Sequence, residues 1–310
     1  MSRRRRSLVV LNPTAGGGAA QRVWPELAAA LEQELPGYRL SVSRRPGMIT
    51  QVVRRALRGG AERVVTVGGD GTVNEAVNGF MDGRGRPIRP EAVLAILPSG
   101  TGGDGIRSLG IPRQPLAALA AWRQAEPFAV DLGHVECRSP RGGRRRRFFL
   151  NVASFGLSGL VVARVGAMPK QLGGTVAFLG ASLTSMLTYR NRSVRLRLDG
   201  GEWYEQRLLL AAVANGRFFG GGMEIAPAAD MTDGQFEVVV LGNLALPEVL
   251  LSMPLIYRGR HLGHRKARSF TARRVEATSR QAVLIDSDGE QPGLLPASFE
   301  LHPKALRLLI

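Results

Sequence analysis

The chain is poor in cysteine, lysine and histidine, and each shortage removes a class of chemistry. Cys137 is its single cysteine, so no disulfide forms within the chain and no thiolate cluster can hold a metal. A lone thiol accords with a reducing cytoplasm. Lysine occurs only at Lys170, Lys266 and Lys304 and never follows a glycine, which excludes the Walker-type phosphate loop. The four histidines, His134, His261, His264 and His302, are dispersed. His261 and His264 are near each other, but nothing in the sequence supplies a third ligand, so no zinc site is expected. No Gly-x-Ser-x-Gly elbow is present, which argues against a serine hydrolase. Long apolar runs are missing as well. Leu8-Val9-Val10-Leu11 follows a group of arginines in the manner of a secretion signal, but Asn12-Pro13 ends the run too early. The uncharged stretch 171–189 is interrupted by Gly173, Gly174, Thr175, Ser182, Thr184 and Ser185, a poor composition for a spanning helix. It reads as a helix buried in protein or lying at an interface. With no transmembrane segment expected, membrane contact would be peripheral.

What the chain has in excess is arginine. Its 310 residues carry a formal net charge of +17, nearly all of it from guanidinium groups. Two readings stand: a compositional bias spread over the surface, or attraction to an anionic partner such as a membrane, a nucleic acid or a nucleotide. The densest runs are 3–6 and 144–147. The second is expected to be a solvated hairpin loop leading into the strand 148–153. Neither run alternates with aromatic residues as a single-strand nucleic-acid platform does, so no specific nucleic-acid partner is expected.

Apolar patterning divides the chain. Short β-branched runs at 8–11, 39–43, 63–67 and 93–97 alternate with helical spacing at 21–35, 49–57 and 72–80. That alternation predicts an α/β N-terminal domain, Rossmann-like, with a mostly parallel sheet and helices on both faces. After about residue 133 strand-like runs follow one another, at 148–153, 194–198, 207–214, 235–241, 269–277, 282–287 and 298–302, interrupted by helical patterns at 172–187 and 247–257. This predicts a mainly antiparallel β-sandwich. The expected domains are 1–133 and 134–303.

In an open parallel sheet, ligands bind at the carboxyl ends of the strands. Three such ends are rich in glycine or turn residues. The most informative is Gly68-Gly69-Asp70-Gly71-Thr72-Val73-Asn74-Glu75. The glycines allow close backbone approach, and the N-terminus of the next helix, with Thr72 placed to cap it, favours phosphate. Asp70 puts a carboxylate where phosphate and Mg²⁺ need one. A ligand-free turn would leave that carboxylate between glycines unexplained. Asn12-Pro13-Thr14-Ala15-Gly16-Gly17-Gly18 follows the first strand, and Pro98-Ser99-Gly100-Thr101-Gly102-Gly103-Asp104 the fourth. The latter fits a second phosphate-facing loop better than a dinucleotide fingerprint, because no acidic residue stands on a clear strand end about twenty residues later. In the second half, Asp230 and Asp233 flank a turn before a strand, suited to Mg²⁺ or Ca²⁺ or to a plain Asx turn. Asp288 and Glu290 straddle Gly289. One could accept a proton from a hydroxyl nucleophile while the other orients it or reaches Mg²⁺; an acidic hairpin turn is the plainer alternative.

Taken in order, these segments resemble the diacylglycerol kinase catalytic-domain family, which includes the YegS-like lipid kinases and the sphingosine and ceramide kinases. The resemblance runs from Asn12-Pro13 to Ala305-Leu306. It rests on the Gly68–Thr72 corner with Asn74-Glu75, on residues 98–104, 215–222 with Ile225-Ala226-Pro227, on Asp233-Gly234 and on Asp288-Gly289-Glu290. It implies ATP-dependent transfer of the γ-phosphoryl group to a lipid hydroxyl. Carried over, Asn12, Pro13, Thr14, Ala15, Gly16, Ser43, Gly68, Gly69, Asp70, Gly71, Thr72, Val73, Asn74, Thr101 and Asp104 would line the nucleotide. Asp230, Asp233 and the carbonyl of Gln235 would hold a structural Mg²⁺. Asp288 and Glu290 would be the catalytic carboxylates, with Asp70 beside the phosphates and Glu290 favoured as proton acceptor. A last strand, 304–310, would return to the first domain. The resemblance further implies a cytoplasmic, peripherally membrane-associated enzyme meeting its lipid substrate at an anionic phospholipid surface; a homodimer is one assembly open to it. Gly68–Gly71 is shared with NAD kinases, so an NAD kinase-like enzyme is the first alternative, and a non-catalytic basic nucleotide- or nucleic-acid-binding protein the second. One departure is visible: Gly103 stands where the family usually has asparagine.

Overall fold

The computed structural model describes residues 6–100, 102–168 and 174–310, with side chains 174–176 left undescribed. The chain forms two compact units: one extends to Val130 and takes in Lys304–Ile310, the other is Asp131–Pro303.

The first unit contains β1 (Ser7–Leu11), α1 (Ala15–Glu34), β2 (Arg39–Val42), α2 (Met48–Arg58), β3 (Arg63–Gly68), α3 (Asp70–Phe80), β4 (Val93–Pro98), α4 (Asp104–Ser108) and α5 (Pro115–Ala121), and the start of β5 (Phe128–Arg138). Strands β2, β1, β3 and β4 pair in parallel in that order. The C-terminal residues Arg307–Leu309 add a parallel strand beside β4. β1, β3 and β4 are buried almost throughout and mostly apolar, as strands covered on both faces must be. Because β1 lies between β2 and β3, the chain reverses its winding there, and the carboxyl ends of β1 and β3 open side by side.

The second unit continues β5 and adds β6 (Arg144–Phe149), β7 (Val152–Gly156), α6 (Leu157–Ala167), α7 (Gly174–Thr188), β8 (Arg192–Leu198), β9 (Tyr204–Leu208), β10 (Leu210–Ala214), β11 (Phe218–Phe219), β12 (Met223–Glu224), β13 (Phe236–Leu241), α8 (Leu246–Ile256), β14 (Ala267–Ala272), β15 (Arg274–Thr278), β16 (Ile285–Ser287) and β17 (Leu294–Leu309). Two mainly antiparallel sheets face each other. One runs β14-β13-β10-β7-β16; the other joins β6, β5, the first part of β17, β15, β8 and β9. Their inner faces share one core, in which Phe155, Val213, Phe236 and Val238 meet Val135, Phe149, Leu196 and Phe299. The α/β half followed by an antiparallel sandwich is the fold class the sequence predicts.

Several local expectations are corrected. The runs 148–153, 207–214 and 269–277 are each two strands, broken at Leu150-Asn151, Leu209 and Arg273. Apolar content carries on through these breaks, so hydrophobicity alone does not reveal them. Residues 144–147 are not a loop: Arg144–Phe149 is a strand paired with β5, and Glu136 takes both Arg144 and Arg146. Thr72 does not cap α3. That helix begins at Asp70 with Gly69 as its cap residue, which puts the Thr72 side chain inside the first turn. α6 and the two short helices α4 and α5 carry no strong periodic signal and are not anticipated from the sequence. Among the described residues, no helix is long and apolar enough to cross a membrane.

Candidate active site

In the first unit, the loops after β1, β3 and β4 are tied by side chain and backbone. Asn12 donates through Nδ2 to Thr72 Oγ1 at 3.1 Å, and its Oδ1 accepts from the Thr14 N–H and hydroxyl. Thr72 therefore links α3 to the β1 loop, a more specific task than helix capping. The Asp70 carboxylate accepts the Gly103 N–H at 2.8 Å, joining the β3 loop to the β4 loop. Ser99 N–H donates to Gly68 O at 2.8 Å. Ser43 is held by its own N–H on Leu11 O at 2.8 Å, which places it at the end of β2 beside the β1 loop.

Two glycines here are demanded by contact. A Cβ on Gly68 would lie 2.3 Å from Thr72 Oγ1, and one on Gly100 would lie 2.5 Å from the Gly69 Cα. Gly16, Gly17 and Gly18 all take positive φ, so the backbone from 16 to 18 leaves helical geometry before α1 proper. The non-helical loop expected over 12–18 is thus present in the backbone. Gly103 has φ of 79°, a left-handed conformation open to glycine and asparagine. Glycine here keeps a backbone that asparagine also takes, and the bond to the Asp70 carboxylate needs only the main-chain N–H of residue 103. Pro13, Ala15, Gly71, Val73 and Asn74 lie within these same segments, with Asn74 buried and bonded through O and Oδ1 to Asn78 Nδ2. Glu75 caps α2 by accepting the Gly47 and Ile49 N–H groups. Asp104 opens α4. Thr101 lies outside the described residues.

In the second unit, Asp288 is the centre of a backbone-binding hub. It has φ of 48°, and its carboxylate accepts the N–H groups of Leu150, Asn151 and Val152 at 2.8, 3.1 and 3.0 Å. The break between β6 and β7 is built on this carboxylate. Asp286 supports the same turn by accepting the Gly289 N–H at 2.9 Å. Glu290 differs from Asp288: it is partly exposed and ion-paired with Arg147 of β6. Asn215 donates to Asp131 O at 2.9 Å and Leu150 O at 2.7 Å, bringing the 215–222 loop to the hub.

The Asp230–Gln235 turn is a pair of Asx turns: Asp230 accepts the Thr232 N–H and hydroxyl, and Asp233 accepts the Gln235 N–H at 2.9 Å. A further carboxylate stands beside it. Asp131, fully buried on β5, accepts the Gly234 N–H at 2.7 Å. Burial, and after it the charges of Asp230 and Asp131, push the Asp233 carboxyl above its usual range. Sequence reasoning missed Asp131, Asp286, Asn151 and Arg147. Asp131 had a signal, a carboxylate inside the apolar run 128–132. Arg147 had none, being one arginine among several.

The diacylglycerol kinase catalytic domain is matched over residues 6–135 and the YegS C-terminal NAD kinase beta sandwich-like domain over 151–310. The chain belongs to the diacylglycerol kinase catalytic-domain family. Within that family it is 28% identical over 298 residues to a diacylglycerol kinase of Staphylococcus carnosus, covering 96% of this chain and 92% of that one. A diacylglycerol kinase of Staphylococcus aureus is also 28% identical, with 96% and 89% covered. In fold, the chain is similar to a diacylglycerol kinase from Bacillus anthracis, with TM-score 0.72, 20% identity and coverage of 100% and 98%. An NAD kinase from Archaeoglobus fulgidus shares the fold more distantly, at TM-score 0.51 and 15% identity over 98% of this chain and 93% of that one.

Proposed function

We propose that this protein is an ATP-dependent lipid kinase that transfers the γ-phosphoryl group to a lipid hydroxyl, with diacylglycerol-type or sphingoid-type acceptors. The observation that carries the reading is the hydrogen-bonded convergence of the β1, β3 and β4 loops through Asn12–Thr72 and Asp70–Gly103, in a chain related over nearly its whole length to diacylglycerol kinases. Phosphoryl transfer asks a protein for positioning and charge neutralisation more than for covalent chemistry. The glycine-lined loops bring main-chain N–H groups to the triphosphate, and the start of α3 adds the positive end of its dipole. Asp70, at the start of α3, is assigned as the acidic group that would face the phosphates.

Glu290 is assigned as the group that takes the proton from the lipid hydroxyl, since it is partly exposed and its partner Arg147 can orient it. Asp288 spends its oxygens on three main-chain donors and is assigned as the positioning residue of the turn. Mg²⁺ is assigned to the donor set of Asp230, Asp233 and the Gln235 carbonyl, oxygen donors of the kind it takes, with the buried Asp131 bonded to the same turn through the Gly234 N–H. When bound, it would brace the turn before β13.

Peripheral association with an anionic phospholipid surface is supported by exposed leucines on two helices of the second unit. Leu179, Leu183 and Leu187 recur every fourth residue on α7; Leu250, Leu251 and Leu255 lie on α8. Asn191 ties the segment after α7 to the one before α8 through Asn243 and Leu244, at 2.8 Å each. The arginine excess would add attraction of about 1 kcal/mol for each cation near the surface. Self-association into a homodimer is read separately, by light scattering.

The test is a labelled-ATP assay over a lipid panel with an NAD arm, products resolved by mass spectrometry. A phosphorylated lipid in the parent protein and none in Glu290→Gln is expected. Phosphorylated NAD with no lipid product would replace the reading by the NAD kinase-like one; ATP binding without turnover on any acceptor would replace it by the non-catalytic one.

A further inference from the structure

The outer face of the β6-β5-β17 sheet carries a cluster that the kinase reading does not use. Val135 and Cys137 on β5, and Phe299 and Leu301 on β17, point into the sandwich core. By the two-residue alternation of strands, His134 on β5 and Glu300 and His302 on β17 take the opposite face. Pairing of β5 with β17 brings them together. One nitrogen from each imidazole and one Glu300 oxygen all lie within 4.8 Å of one another, and this is the one such group of three or more histidine, cysteine or acidic residues among the described residues. Phe148, the register partner of His134 on β6, packs against both rings, with centroids at 4.8 and 5.5 Å. The two imidazoles stand edge to face, 5.6 Å apart. Nε2 of His302 is buried with no hydrogen-bond partner, an unfavourable state that a ligated ion would relieve.

We propose that His134, Glu300 and His302 form a binding site for a Zn²⁺-class transition-metal ion, with a water molecule completing its shell. Two imidazoles and a carboxylate are a donor set that zinc favours, with bonds of about 2.0–2.2 Å that draw the ligand atoms to roughly 3.4 Å from one another. Glu300 is exposed, so its side chain can swing inward to close the shell. Magnesium and calcium, which take oxygen donors, are poor candidates. The opposing charge nearby, Arg146, is engaged by Glu136. β5 and β17 are also the strands by which the chain enters and leaves the second unit, at Val130-Asp131 and Pro303-Lys304. A bound ion would brace these two strands against each other inside that unit.

The test uses the untagged full chain stripped with EDTA, titrated with Zn²⁺ by calorimetry and with Co²⁺ by visible absorption. One ion per chain is expected, with the intense Co²⁺ bands of a four-coordinate site and a higher Tm on adding Zn²⁺. His302→Gln and Glu300→Gln should each weaken binding by more than the ~10–100-fold that loss of an outer-shell partner costs, while His264→Gln should leave it unchanged. Glu300 is exposed, so its variant tests the site even if His302→Gln fails to fold. No Zn²⁺ uptake by the parent, equal uptake by the parent and Glu300→Gln, or loss of uptake in His264→Gln would each overturn the proposal.

Discussion

The carboxylate of Asp70 accepts the backbone N–H of Gly103 at 2.8 Å. A residue at the start of α3 thereby fixes the loop that opens α4. Asp70→Ala leaves that N–H without its acceptor and should cost about 1–3 kcal/mol of stability, with loss of kinase activity. Asp70→Asn keeps an acceptor oxygen and should fold nearly as well while remaining inactive. Urea unfolding and ATP turnover on both variants separate the structural share from the electrostatic one. Comparable activity in Asp70→Asn and the parent would remove the phosphate-facing role.

Gly103 offers a second measurement at the same contact. Its φ of 79° suits asparagine but not a β-branched residue. Gly103→Asn should change stability by less than about 1 kcal/mol, whereas Gly103→Val should cost more than that. A lower KM for ATP in Gly103→Asn would show that the family's amide touches the nucleotide; an unchanged KM would show that the main chain suffices.

Asp288 and Glu290 should part company under mutation. Asp288→Ala orphans the N–H groups of Leu150, Asn151 and Val152 and should lose about 3–5 kcal/mol. Glu290→Gln should leave the unfolding midpoint near that of the parent and lower kcat on the order of 10²–10⁴-fold. Arg147→Met, by releasing Glu290, should lower kcat while leaving the KM for ATP unchanged. An active Glu290→Gln enzyme would return the proton acceptor's role to another group.

Cys137 reports on alkaline unfolding. Burial pushes its thiol from the ordinary 9.0 to about 11, and burial pushes the Tyr189 hydroxyl to about 12. Both folded-state values are raised, so the native protein keeps protons that the unfolded chain releases. The associated stability is fully present below the unfolded values and is lost as pH rises through the folded ones. Unfolding midpoints should therefore fall from about pH 9, where the Cys137 contribution begins to go, to about pH 12, where the Tyr189 contribution is lost. Near neutral pH a thiol reagent should label Cys137 only when the protein unfolds; prompt labelling of native protein would contradict its burial.

The leucine faces of α7 and α8 are tested without touching the proposed chemistry. Leu183→Glu and Leu251→Glu are surface changes and should alter stability by less than about 0.5 kcal/mol. They should reduce sedimentation with anionic vesicles and lower turnover of vesicle-borne lipid. A detergent-dispersed substrate should be phosphorylated as before. Sedimentation that ignores both substitutions would place the lipid-facing surface elsewhere.

The sequence alone carried whatever is written within one or two turns of the chain. Strands and helices alternate in the first half because β-branched runs and helical spacing are local patterns, and the Gly68–Thr72 corner is legible because turn, helix start and carboxylate are adjacent residues. The Gly103 exchange is likewise visible by inspection, though its harmlessness to the backbone needed a φ angle. Tertiary structure decided everything that depends on which strands lie side by side. Thr72 looked like a helix cap until the β1 loop put Asn12 against it. Glu290 was favoured over Asp288 by resemblance alone; their different surroundings, three main-chain amides on Asp288 and Arg147 on Glu290, came with the pairing of β16 and β7. His134 and His302 looked scattered until β5 and β17 became neighbours. Residue spacing fixes contacts along a single element, but contacts across a sheet follow from strand order and register, which collective packing of the two inner faces selects.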